Sequence, residues 1–188
     1  MKNLLKLLTD SREGINWYRE ANQFCSGIAF EHNLPLPVVV GILSAMSPGT
    51  SWEQNKKDAV NLIKVNGNAH TKQFRFTTYG ANVIKAQKIF SGSLSSSEAF
   101  NQRTGPKTYN FYHNILNPDV DGYVTIDRWA YKIATGEPYT GIHFAKYERV
   151  ADHYRKFAVK AGLLVSELQA ILWVEFRKQK FGTLDTPF

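Results

Sequence analysis

A chain of 188 residues, 43% of them hydrophobic and 13% aromatic, holds enough apolar material for a buried core, which excludes wholesale disorder and fits one domain. Its net charge of +7 raises nucleic acid as a partner, with plain solubility as the alternative. The single cysteine, Cys25, rules out an intramolecular disulfide, a four-cysteine zinc site and an iron–sulfur cluster.

The hydrophobic periodicity predicts helices almost throughout. From Ser11 to Glu31, Ile15, Trp17, Tyr18, Ala21, Phe24, Cys25, Ile28 and Ala29 recur at the spacing of one buried helix face. Pro35 and Pro37 interrupt it. The apolar run from Val38 to Met46 fits a buried strand or a buried helix, and the proline at its start favours helix. Ser47-Pro48-Gly49-Thr50 breaks that element, and Ser51 stands where a cap belongs for a helix from Trp52 to Lys64. Asn66-Gly67-Asn68 is a turn signal. Tyr79 to Phe90 reads as a helix with Val83, Ile84, Ala86 and Ile89 inward. Ser91 to Ser97 is a polar loop, its last serine placed to cap Glu98 to Gln102. Pro106 opens a helix from Lys107 to Leu116. After a turn from Asn117 to Gly122, a short apolar stretch leads to Asp127, which opens a helix from Arg128 to Thr135 that Gly136 and Pro138 end. Phe144 to Ala161 is amphipathic and stops at Gly162. Ser166 is placed to cap Glu167 to Lys178, whose basic end suits the helix dipole.

No apolar run approaches the roughly 18 residues that span a bilayer. Met1 to Leu8, with Lys2 and Lys6 among its leucines, is too short and interrupted for a signal sequence. The expectation is a soluble, monomeric, intracellular protein of the cytoplasm with no membrane contact.

Three constellations carry candidate chemistry. The first is Lys107 with Asp127. Twenty positions separate them, enough for one helix and a turn back, so the amine and the carboxylate can reach one cleft. A lysine amine is nucleophilic only when neutral, which desolvation or nearby charge from Arg103 and Arg128 would promote. A carboxylate beside it can stabilise an oxocarbenium-like sugar cation or move a proton. Against this stand two plain readings: Lys107 as a phosphate contact at a helix start, and Asp127 as an N-cap. The second constellation is Ser47, Trp52 and Asn55, where a loop of small residues meets a stacking face and amide groups fit for a base edge; a packed tryptophan and an ordinary turn are the alternative. The third mixes Lys56, Lys57, Lys72, Arg75, Lys85 and Lys88 with Phe74, Phe76 and Tyr79, a pattern that can follow a nucleic-acid backbone or simply solvate a helix face. The five histidines show no metal-ligand spacing, so no metal and no other cofactor is expected. Trp173 reads as core and Glu175 as surface or rim.

Four segments, in order, resemble the helix-hairpin-helix DNA glycosylase superfamily. Gly41-Ile42-Leu43-Ser44-Ala45-Met46-Ser47 is similar to that family's "L-L-S-A-Q-T" helix end. Tyr79-Gly80 with Lys85-Ala86 resembles the glycine and "K-A" that lead to the hairpin. Gly105-Pro106-Lys107-Thr108-Tyr109-Asn110-Phe111 looks like the second hairpin helix. Thr125-Ile126-Asp127-Arg128-Trp129-Ala130 resembles the "V-D-T-H-hydrophobic-x-R" segment. Together they span residues 38–136. The resemblance implies that Asp127 takes the catalytic aspartate position and that Lys107 takes the lysine position of members that also cleave the strand. It implies a phosphate-binding turn at Arg103, Thr104, Gly105 and Thr108 with Arg128 beside it, and a base pocket at Ser47, Trp52 and Asn55. There are departures: of the hairpin's "L-P-G-V-G" only Gly105 remains, Arg103 standing where the other glycine would fall, and Trp129 replaces the usual histidine. Short phage-encoded relatives that act on modified bases are the nearest look-alikes, which would put the protein in the host cell's cytoplasm.

The expected fold is therefore all-α: one domain, 1–188, of two helical lobes in a glycosylase-like arrangement. The expected function is cleavage of the N-glycosidic bond of a flipped base in DNA, with associated strand cleavage. Two alternatives remain open: a base-modifying enzyme on the same fold, as in phage thymine hypermodification, and a DNA-binding module without catalysis.

Overall fold

The computed structural model describes residues 12–182, and Ser11 and the segment from Met1 to Leu8 lie outside them. Among the described residues all regular structure is helical. The helices are α1 (Trp17–Glu31), α2 (Leu36–Met46), α3 (Trp52–Lys64), α4 (Gly80–Phe90), α5 (Pro106–Leu116), α6 (Arg128–Thr135), α7 (Phe144–Ala161) and α8 (Val165–Phe181). The chain divides into two compact units, residues 22–100 and residues 12–21 with 101–182. Among the described residues no single helix is long and apolar enough to cross a membrane.

In the unit of residues 22–100, the ambiguous apolar run is the helix α2, with every residue from Val39 to Met46 buried. Its packing on α4 depends on Gly41. A Cβ there would lie 2.9 Å from the Ser96 hydroxyl and 3.1 Å from an Ile89 methyl, so only glycine admits this approach. Ser51 caps α3 as its sequence position predicts, accepting from the Gln54 amide at 3.4 Å. Cys25 is a buried thiol whose pKa burial pushes up to about 12. Asp58, buried on α3, accepts from the amide and hydroxyl of Thr77 and from Gln54, which ties the loop before α4 to that helix.

In the other unit the core is built from α6, α7 and α8 around Ile126, Ala130, Tyr131, Tyr147, Tyr154, Leu168 and Leu172. Three sequence-based boundaries move. The first helix begins at Trp17, not Ser11, because Gly14 sits at φ +87 with a Val174 methyl 2.8 Å from where a Cβ would be. The segment 98–102 forms turns and no helix: the Ser95 hydroxyl accepts from the Glu98 amide, and the Asn101 carboxamide accepts from the amides of Arg103 and Thr104. Ser166 is not the cap of the last helix. Leu164 holds that place, the Glu167 carboxylate accepts from the Leu164 amide at 2.9 Å, and Asp121 accepts from the Val165 amide at 3.0 Å. Ile84, expected inward on α4, is only half-buried.

Candidate active site

Asp127 owes its position to a polar scaffold under the extended segment 123–126. The Tyr147 hydroxyl of α7 donates to the Val124 carbonyl at 2.7 Å and accepts from the Ile126 amide at 3.0 Å. The Asn110 carboxamide of α5 donates to that hydroxyl and to the Pro106 carbonyl, and accepts from the Val124 amide. Asn114, one turn on, donates to Thr125, whose hydroxyl also accepts from Tyr18, and Tyr18 contacts Gln169 at 2.7 Å. Buried polar groups must be paired, so this network fixes the segment in one register. It also holds the segment against the start of α5, where Lys107 stands.

The Asp127 carboxylate is 3% exposed and fully engaged. One oxygen accepts from the amides of Trp129 and Ala130, at 2.9 and 2.7 Å, which is N-capping of α6. The other accepts from the Trp173 indole at 3.0 Å. Arg177, one turn further along α8 and completely buried, lies over the Trp173 ring at 4.3 Å. The sequence alternative of an N-cap is thus realised, together with a contact that capping does not require. Asp127 also acts at a distance. Burial pushes up the pKa of Tyr18 and of Tyr154, and the carboxylate's charge adds to both shifts.

Lys107, half-buried in the first turn of α5, forms no ion pair and no side-chain hydrogen bond among the described residues. Burial lowers its pKa below the usual lysine value; the Arg128 charge lowers it too, and the Asp127 carboxylate works the other way. The amine, the carboxylate and the guanidinium therefore share one electrostatic neighbourhood. A lysine with no ion pair among the described residues and a lowered pKa is a candidate nucleophile or anion contact.

The turn before α5 differs from a simple phosphate cradle. The amides of Arg103, Thr104 and Gly105 all donate to Asn101, and the Thr108 hydroxyl donates to the Gly105 carbonyl. What this turn presents outward is the exposed side chains of Arg103 and Thr104 and the positive end of α5.

The three residues expected to line a base pocket belong to the unit of residues 22–100. Ser47 is buried and its hydroxyl donates to the Ser44 carbonyl. Trp52 is half-buried, edge-on to Phe24 at 6.5 Å. Asn55 is completely buried, and both its amide nitrogen and its oxygen lack a hydrogen-bond partner among the described residues. Of the three, only Asn55 keeps its hydrogen-bonding capacity unspent. No group of three or more His, Cys, Asp or Glu side chains among the described residues could hold a metal ion.

A family model matches residues 8–180, most of the chain. The chain belongs to a family of unknown function (DUF7178). No curated protein and no solved structure matches it.

The part of the chain matched by DUF7178 includes five residues whose roles the sequence reading missed. Trp173 reads as core and is buried, yet its indole nitrogen serves Asp127. Arg177 sits at i+4 from it in an apolar helix, and a buried arginine there was a legible signal. Asn110 and Asn114, four apart on the buried face of α5, were a second signal. Tyr147, from a separate helix, left none.

Proposed function

We propose that the protein is a DNA N-glycosylase with a helix-hairpin-helix glycosylase-like fold, acting as a cytoplasmic monomer. The observation that carries this reading is the Lys107 amine: half-buried, unpaired among the described residues, lowered in pKa, and in the field of an oriented buried carboxylate. The positive turn at Arg103 and Thr104, with the start of α5 and Arg128, grips phosphates. One nucleotide rotates out of the stack, at a cost of a few kcal/mol that is least for a weakly paired base. The neutral Lys107 nitrogen bonds to the anomeric carbon as the glycosidic bond breaks. The bonding pair leaves with the base, which takes up a proton, and Asp127 stabilises the positive charge on the sugar. Loss of a proton from the amine and opening of the sugar ring give a Schiff base, from which the strand is cleaved. The test is a panel of oligonucleotides with modified and damaged bases, with products read by intact mass. Release of a free base supports the proposal. An altered nucleoside with its sugar bond intact supports base modification instead.

One observation favours a non-catalytic reading, a DNA-binding module. Both Asp127 oxygens already have partners and the residue is 3% exposed. In that case Asp127→Asn leaves DNA binding unchanged and the wild type turns over no substrate.

A further inference from the structure

The unit of residues 22–100 contains an open groove along α3, about 490 Å³ in volume. Phe24 and Val60 give it apolar walls, Glu53, Lys56, Lys57 and Lys64 are its charged lining, and the amides Gln54 and Asn61 complete it. Positions 53, 56, 57, 60 and 64 recur at three- and four-residue spacing, so one stripe of the helix carries them. Lys56 is engaged: its ammonium pairs with Glu53 at 2.8 Å and lies 5.5 Å from the Phe24 and Trp52 rings. Lys57 and Lys64 are exposed and form no ion pair among the described residues. They stand seven residues apart, about 10 Å along the helix. One strand of duplex DNA carries a charge per roughly 3.4 Å of helix axis, and an extended single strand spaces its phosphates more widely, so these two ammonium groups are far enough apart to meet two different phosphates. Lysine is a compact point charge that imposes no bidentate geometry. Two such charges on one helix stripe suit neighbouring phosphates of a polyanion better than a single anion.

We propose that this groove takes the phosphodiester backbone of a DNA strand, at a contact separate from the Asp127 cluster. The proposal rests on the reading of the protein as DNA-acting, and it does not require glycosidic cleavage. The contact is indifferent to base sequence, and it adds affinity that salt removes.

The experiment is fluorescence anisotropy with an undamaged single-stranded oligonucleotide over a series of salt concentrations. Lys57→Gln with Lys64→Gln lowers the slope of log affinity against log salt by about 1.4, the loss of two single-strand contacts. Glu53→Gln raises affinity. Lys156→Gln with Lys160→Gln, exposed on α7, removes the same charge and keeps the wild-type slope. Lys57→Arg with Lys64→Arg keeps the charge and the slope, which separates lost charge from damaged folding. An unchanged slope in the glutamine double variant, or an equal fall in both double variants, overturns the groove. Base release with an unchanged slope removes the groove proposal alone, and a lowered slope without base release on any oligonucleotide removes the cleavage reading alone.

Discussion

At the scale of single residues, burial and the Asp127 charge pull the Lys107 amine in opposite directions. Burial, the larger cause, lowers its pKa, Arg128 adds to the effect, and Asp127 raises it. The sign of two substitutions follows. Asp127→Asn removes the opposing charge, so the Lys107 pKa falls further; Arg128→Gln removes a like charge, so it rises. Titrating the lysine side-chain carbons by NMR in wild type and both variants checks this. No change in either variant would mean that neither charge reaches the amine. The same balance sets the reactivity of the amine, since only the neutral form attacks carbon. Asn55 is a completely buried amide whose nitrogen and oxygen both lack a hydrogen-bond partner among the described residues.

At the scale of elements, Tyr147 joins the 124–126 segment to α5 and α7 with one hydroxyl. Tyr147→Phe leaves the Val124 carbonyl and the Ile126 amide buried without that partner, each costing about 1–3 kcal/mol. The predicted result is a loss of at least about 2 kcal/mol in urea unfolding, accompanied by a weakened Lys107–Asp127 coupling in the same NMR titration. Stability within a few tenths of wild type would show that the hydroxyl is not the anchor. The same distinction explains what the sequence disclosed. Helix ends that depend on neighbours were legible, such as the Ser51 cap of α3 and the stops of α6 and α7. The start of α8 was not, because Asp121, 44 residues earlier, accepts from its first amide. Asp127 and Lys107 were legible as residues at helix starts one helix-and-turn apart. Trp173 was hidden because an indole in an apolar run looks like core whether or not its nitrogen has a task.

At the scale of the whole molecule, three tyrosines, Tyr18, Tyr147 and Tyr154, are buried and held neutral well above their ordinary pKa. The unfolded chain ionises them near pH 10 while the folded chain does not. Their folded pKa values are raised, so the stability they contribute is present below pH 10 and lost as pH rises. With three protons retained in the native state, stability falls by about 4 kcal/mol per pH unit above pH 10. Urea unfolding between pH 9 and 11 checks the slope, and a flat profile would show that the phenols are accessible. The +7 charge bears on the partner, and it predicts DNA binding that weakens with salt. The function itself turns on Lys107. Borohydride trapping on a modified-base oligonucleotide that the protein cuts should yield one covalent protein–DNA adduct in the wild type and none in Lys107→Gln. An adduct that persists in Lys107→Gln, or the release of free base with no adduct in the wild type, would contradict the assignment of Lys107 as the nucleophile.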